Sequence, residues 1–124
     1  MDGGSDVTLD TVIDRLMSRP GVSSVTLCTI STGLMIKSTM KDRDESERVA
    51  EHFAKVVRAT LEAYEALELT EKPELLTFRS GKLEWVLTMA DGVYGGPEQS
   101  DYFFLVARDP KQLPKPGAAT GESK

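Results

Sequence analysis

The chain of 124 residues has a length typical of a single domain and is too short for two. Its content of 40% hydrophobic and 28% charged residues is ordinary for a globular protein and excludes general disorder. The net charge of -5 is spread without long blocks of one sign, so nucleic acid is not an expected partner. No stretch approaches the roughly 20 apolar residues that span a bilayer, so no membrane partner is expected either.

The first element is predicted to be a helix. Residues 1–7 are rich in Gly, Ser and Asp and are expected to be flexible, without the pattern of a signal peptide. Apolar residues then recur at spacings of three and four from Leu9 to Met17, which is the spacing of one helix face. Thr8 is the expected cap, and Pro20 with Gly21 ends the helix.

A β-hairpin and a second helix are predicted next. The β-branched stretch from Val22 to Ile30 resumes, after a Ser-Thr-Gly turn, from Leu34 to Met40. Asp44 with Glu47 three residues later predicts the start of the second helix. This helix is expected to have about five turns and a broad apolar stripe, which consists of Val49, Phe53, Val56, Val57, Thr60, Leu61 and Tyr64.

The remaining elements are predicted to be strands. Leu75–Ser80 and Leu83–Met89 flank a Gly-Lys turn and form a second hairpin. The glycine-rich stretch 90–100 is expected to be a loop, and Tyr102–Arg108 a fifth strand.

The predicted order α-β-β-α-β-β-β indicates an α/β fold with a five-stranded, antiparallel-rich sheet flanked by helices. Residues 111–124 are rich in Pro and Gly and are expected to form a flexible tail. The folded domain is therefore expected to span residues 8–110.

The residues that usually carry catalysis are scarce in this sequence. His52 is the only histidine, and no local pattern pairs a nucleophile with it. Cys28 lies among apolar residues of the first strand, where a small core side chain is the better interpretation. One histidine and one cysteine cannot assemble a structural zinc site. We therefore expect a chain that is not an enzyme and uses no metal and no cofactor.

Three further patterns have structural explanations that are preferred to functional ones. The glycines at 92–96 suggest a phosphate loop, but a Gly-Lys-Ser/Thr ending that opens a helix is missing. The acidic groups at 42–45 and 65–68 lack the spaced ligands and central glycine of a calcium loop. The aromatic residues have apolar neighbours that favour core or interface positions over a ligand platform; they are Trp85, Tyr102, Phe103 and Phe104.

The function is therefore expected to lie in a surface. The wide apolar stripe of the second helix is followed by a strand with Leu76 and Phe78 on one side and Leu75 on the other. A small sheet with an apolar edge strand must cover that edge or pair it. A second copy of the chain would pair it.

Several segments between Leu9 and Pro110 form a recognisable series. They are Pro-Gly-Val at 20–22, the hairpin at 30–40, Leu-Leu-Thr-Phe-Arg-Ser at 75–80, Glu-Trp-Val-Leu at 84–87, and Asp-Tyr-Phe-Phe-Leu-Val at 101–106 followed by Asp109 and Pro110. In this order they resemble the Roadblock family of dynein light chains, and the stretch Gly33–Met40 is the most diagnostic of them.

The resemblance implies a dimer that joins the third strands edge to edge and packs the second helices together. Carried over, the third strand is Leu75–Ser80 and the interface helix is Glu45–Ala66. The partner is expected to be a second Roadblock light chain, in a homodimer or a heterodimer, and the dimer is expected to bind a dynein intermediate chain. The interface residues that this implies are Val49, Phe53, Val56, Val57, Thr60, Leu75, Leu76, Thr77, Phe78 and Arg79.

The resemblance also implies a location and leaves one alternative open. Such light chains occur in cytoplasmic and axonemal motors, so the cytoplasm and cytoskeleton or a cilium axoneme are the expected places. The long 90–100 connection and the tail after Lys111 depart from the short cytoplasmic light chains and favour an axonemal member. Roadblock-like domains also act as scaffolds or regulators of small GTPases, which is the alternative function.

Overall fold

The computed structural model of the chain describes residues 8–92 and 100–109. The predicted flexible ends, most of the 90–100 loop and the domain end at Pro110 lie outside the described residues. Within them the elements follow the predicted order, and a 3-10 helix at Ala90–Gly92 follows the fourth strand. The elements are α1 (Leu9–Met17), β1 (Val22–Thr29), β2 (Met35–Ser38), α2 (Arg43–Ala66), β3 (Leu75–Ser80), β4 (Leu83–Met89) and β5 (Tyr102–Arg108).

The two helices begin at polar caps, one of which differs from the prediction. Thr8 caps α1 as expected, because its side-chain oxygen accepts a hydrogen bond of 3.1 Å from the Thr11 N–H. The prediction that Asp44 opens α2 is wrong. Asp42 is the cap: its backbone is extended and its carboxylate accepts a 3.2 Å hydrogen bond from the Glu45 N–H. Asp44 lies in the first turn, where only its charge interacts favourably with the helix N-terminus.

The described strands form one sheet in the order β2-β1-β5-β4-β3, and all neighbouring strands are antiparallel. This confirms the predicted antiparallel-rich sheet. In the described part of the chain, no helix is both long enough and apolar enough to cross a membrane.

Each face of the sheet is covered by one helix over a hydrophobic core. The buried stripe of α1 is packed against side chains of β1 and β5 that include Val25 and Phe104. The buried stripe of α2 is packed against the opposite face, on side chains that include Leu87, Phe103 and Leu105. Full burial of one such side chain contributes about 1.5–3 kcal/mol. The two cores therefore fix the helices on opposite sides of the sheet.

The middle of α2 is held against the β1–β2 turn. Gly33 has a φ of +72°, and a Cβ at this position would lie 3.3 Å from the Glu51 Cα. On the same turn, the Arg58 guanidinium donates to the carbonyl of Ile30 at 2.5 Å and to that of Ser31 at 3.4 Å. These contacts anchor α2 at the end of the sheet opposite to β3.

We predict that Asp42→Ala lowers the free energy of unfolding by about 1 kcal/mol, because the variant loses the side-chain acceptor at the start of α2. Asp44→Ala, the matched control, should cost only a few tenths of a kcal/mol, since it removes a charge near the helix terminus and no cap. Urea denaturation of both variants measures this difference. A larger loss for Asp44→Ala would contradict the assigned cap.

Candidate dimer interface

The outer edge of β3 is available for pairing. β3 lies at the end of the sheet and pairs with β4 alone among the described strands. All six of its residues are in regular register with β4, from Leu75 opposite Thr88 to Ser80 opposite Leu83. A regular edge of this length offers backbone groups to a further strand.

The β3–β4 register determines which backbone groups point outward. The Met89 N–H donates to the Glu74 carbonyl at 3.1 Å, so this pair belongs to the hydrogen-bonded class. Hydrogen-bonded and non-hydrogen-bonded pairs alternate along antiparallel strands. The even-numbered residues of β3 therefore direct their N–H and C=O groups towards β4. The backbone N–H and C=O groups of Leu75, Thr77 and Arg79 point to the outer edge of β3, away from β4.

The opposite edge of the sheet, β2, is less suited to pairing. It is only four residues long, and its register with β1 shifts between Leu27 and Cys28, where Ile36 is the extra residue. Lys37 forms a salt bridge with Asp10 of α1. Short length, a bulge and a lysine are features by which edge strands avoid association. The two edges therefore differ, and β3 is the one without these features.

An apolar shelf lies between α2 and the β3 edge. Phe53 on α2 contacts the strands below it, with its ring centroid 6.3 Å from that of Phe78 and 5.0 Å from that of Trp85. Phe78 is still 41% exposed, although Leu76, on the same face of β3, is half-buried. Tilted aromatic pairs at these separations are stabilising beyond the area that they bury. The shelf is defined by Phe53, Leu76, Phe78 and Trp85.

The flank of α2 beside this shelf carries most of the predicted helical interface residues. Val49, Phe53, Val56 and Thr60 are half-buried and recur at spacings of three and four, which places them on one stripe. Val57 does not belong with them. It is 1% exposed and lies in the core between α2 and the sheet, so its placement in the interface was wrong.

The other predicted interface residues lie on the α1 side of β3. Leu75 is 54% exposed, and Thr77 and Arg79 are also exposed. No helix of the described residues lies above this side of the strand, because α1 packs over β1 and β5. The ten predicted residues therefore divide into the α2 stripe, two shelf residues of β3, three residues on its opposite face, and the buried Val57.

An ion-pair network that the sequence analysis did not identify spans three strands behind this edge. Glu84 on β4 is 4% exposed; its Oε1 accepts from Arg108 Nε at 2.6 Å and its Oε2 from Arg79 Nη2 at 3.4 Å. The hydrogen bond and charge of Arg108, aided by Arg79, outweigh desolvation and lower the pKa of Glu84. The Arg79–Glu84 ion pair could have been predicted from the sequence, because the hairpin turn at Gly81 and Lys82 places Arg79 opposite Glu84.

The candidate catalytic residues are not brought together. Cys28 is completely buried, and burial raises the pKa of its thiol to about 12. His52 is exposed on α2. Among residues 8–92 and 100–109, no group of three or more His, Cys, Asp or Glu side chains could hold a metal ion. The absence of catalysis stays a prediction.

Comparisons with known proteins identify the fold. No family model and no curated protein matches the chain. A Roadblock/LC7 domain from Streptomyces avermitilis is similar at 14% identity and a TM-score of 0.67, over 83% of this chain and 79% of that one. MglB from Myxococcus xanthus is similar at 17% identity and a TM-score of 0.65, over 82% of this chain and 75% of that one. An MglB with a tetrameric arrangement is similar at 10% identity and a TM-score of 0.67, over 97% of this chain and 83% of that one.

The class of protein that these likenesses define is the Roadblock/LC7 fold. The chain has this fold, with the sheet and flanking helices that the sequence predicted. At identities of 10 to 17%, the likeness extends to the fold and no further.

We predict that Glu84→Gln lowers the free energy of unfolding at pH 7 by about 1–3 kcal/mol, because two guanidinium groups lose a charged acceptor. Folding lowers the pKa of Glu84. The contribution of its carboxylate to the free energy of unfolding is therefore complete above the unfolded-state pKa of about 4.3, and it is lost as the pH falls through the folded-state pKa. Denaturation at pH 7 and in that acidic range measures the difference between the two proteins. A difference that does not shrink in acid would contradict this role of the carboxylate.

Proposed function

We propose that this chain is a non-catalytic scaffold that pairs with a second Roadblock chain through β3 and the adjacent stripe of α2, and that the dimer binds and regulates a small GTPase. The observation that carries the dimer is the regular edge of β3, which no other described strand pairs with, beside an apolar shelf. Pairing supplies partners for the outward backbone groups and removes the exposed part of Phe78 from water.

The energetics of the shelf favour association. Aromatic residues that are partly exposed in the protomer and surrounded by apolar neighbours are typical of interface hot spots. Phe78 fits this description, since it rests on Phe53 and remains 41% exposed. The half-buried α2 stripe extends the apolar surface along the same side of the strand. The proposed contact thus combines strand pairing with side-chain burial.

The GTPase is favoured over a dynein as the partner. Two of the similar structures named above come from the bacteria Streptomyces avermitilis and Myxococcus xanthus, whereas dyneins are motors of the eukaryotic cytoskeleton. Roadblock-like domains as a class include scaffolds and regulators of small GTPases, as the resemblance implies. The tetrameric arrangement of one similar MglB supports self-association in proteins of this fold. Binding to a dynein intermediate chain remains the second candidate, supported by the sequence resemblance between Leu9 and Pro110.

We predict that Phe78→Asp raises the dimer dissociation constant about 100-fold or more, because the variant buries an unpaired charge in the contact. Sedimentation equilibrium at micromolar concentration measures this change. Leu34→Asp is the matched control: Leu34 is 61% exposed and lies beside the opposite edge of the sheet, so the variant should remain a dimer. A monomeric wild type, or a Phe78→Asp variant that dimerises normally, would refute the proposed interface.

We further expect affinity purification of the full chain from its native source to recover a small GTPase in stoichiometric amounts. Phe78→Asp should lose this partner if the GTPase recognises the dimer, whereas Leu34→Asp should retain it. Mass spectrometry of the recovered proteins provides the readout. Recovery of dynein intermediate chain without a GTPase would reject the GTPase and support the second candidate.

A further inference from the structure

The pairing of two β3 edges is restricted by the backbone directions of a single protomer. Only Leu75, Thr77 and Arg79 direct their backbone groups outward. The edge ends at Pro73, which has no N–H to donate, and at Gly81, whose φ of +61° belongs to the turn. A second copy related by a twofold axis must therefore join outward residues to outward residues. Five antiparallel registers satisfy this condition, and three of them, with the axis at Leu76, Thr77 or Phe78, pair at least two outward residues of each strand.

We infer that the two copies pair with Thr77 opposite Thr77 of the second copy, and hence with Leu75 opposite its Arg79. This inference rests on the proposed dimer and specifies its geometry. The register uses all three outward residues of each strand, with both backbone groups of each engaged. Shifting the twofold axis to Leu76 or to Phe78 leaves only two outward residues per strand in the ladder.

Side chains on the shelf favour the same register. With Thr77 on the axis, each Phe78 lies opposite Leu76 of the second copy, so both cross-strand pairs below the α2 helices are apolar. An axis at Phe78 instead places the two Phe78 rings opposite each other, but it leaves both Leu76 side chains opposite Ser80. An axis at Leu76 places Phe78 opposite Glu74, which sets a charged group against the aromatic ring.

The opposite face of the strand agrees with this arrangement. Leu75 is 54% exposed in the protomer, and the inferred register places the side chain of Arg79 from the second copy across from it. The aliphatic stem of an arginine can cover an apolar neighbour while its guanidinium stays in water. The two Arg79 residues of the dimer are then four residue positions apart along the strands. An axis at Phe78 makes them diagonal neighbours and brings two like charges together.

Disulfide cross-linking of single-cysteine substitutions tests the register. The substitutions Leu75→Cys, Thr77→Cys and Arg79→Cys all lie on the exposed face and leave the shelf intact. Directly opposite, hydrogen-bonded residues have Cα atoms about 5.5 Å apart, within the range of a disulfide, whereas diagonal neighbours at about 7–8 Å are outside it. The natural Cys28 is completely buried and provides the control, since the wild type should not cross-link.

The inferred register predicts that oxidised Thr77→Cys becomes a covalent dimer by itself, and that Leu75→Cys and Arg79→Cys cross-link only when the two are mixed. Efficient cross-linking of Thr77→Cys with Arg79→Cys, or with Leu75→Cys, would overturn it in favour of another axis. A dimer in which none of these combinations cross-links would exclude edge pairing in all three registers. Sedimentation of the wild type separates these outcomes from failure of the proposed function, because a monomeric wild type refutes the dimer itself.

Discussion

The backbone hydrogen bonding of β3 is the constraint on which the functional account depends. One side of the strand is fully used by β4, and the other side has no partner strand in the described chain. Exposed edges of this kind associate unless charge, a bulge or a cover prevents it. At the other end of the sheet β2 has a register shift and a lysine bound to α1, and β3 has neither. The sheet is therefore protected at one edge and open at the other.

The positions of the two helices extend this asymmetry to the side chains. Because α2 is anchored over the β1–β2 turn by the close approach at Gly33 and by Arg58, its flank beside β3 remains only half-buried. Phe53 extends from this flank onto Phe78 and Trp85 and forms the shelf. On the other face α1 covers the central strands and leaves β3 without a helix, where the Arg79–Glu84–Arg108 network links the three strands. The β3 edge is thus held in place by the aromatic shelf on the face below α2 and by the ion-pair network on the opposite face.

Much of this architecture could be predicted from the sequence, because periodicity reports local structure. The spacing of apolar residues identified both helices, and β-branched stretches separated by turn residues identified all five strands within one or two residues. The cap of α2 was misplaced because Asp42 and Asp44 both fit a helix start, and only the backbone conformation distinguishes them. Val57 was misassigned for a related reason. A stripe as wide as that of α2 contains both core and flank positions, and their division depends on where the sheet lies below the helix. The Glu84 network required the β4–β5 register, which local patterns do not contain.

Amide hydrogen exchange of the full chain, resolved by residue at a concentration where the protein is a dimer, tests the central claim most directly. If the β3 edges pair, the outward N–H groups of Leu75, Thr77 and Arg79 acquire acceptors and should exchange as slowly as those of Leu76 and Phe78, with protection that is lost on dilution. If they exchange as fast in the dimer as in the diluted monomer, the β3 edge is not the contact between the copies.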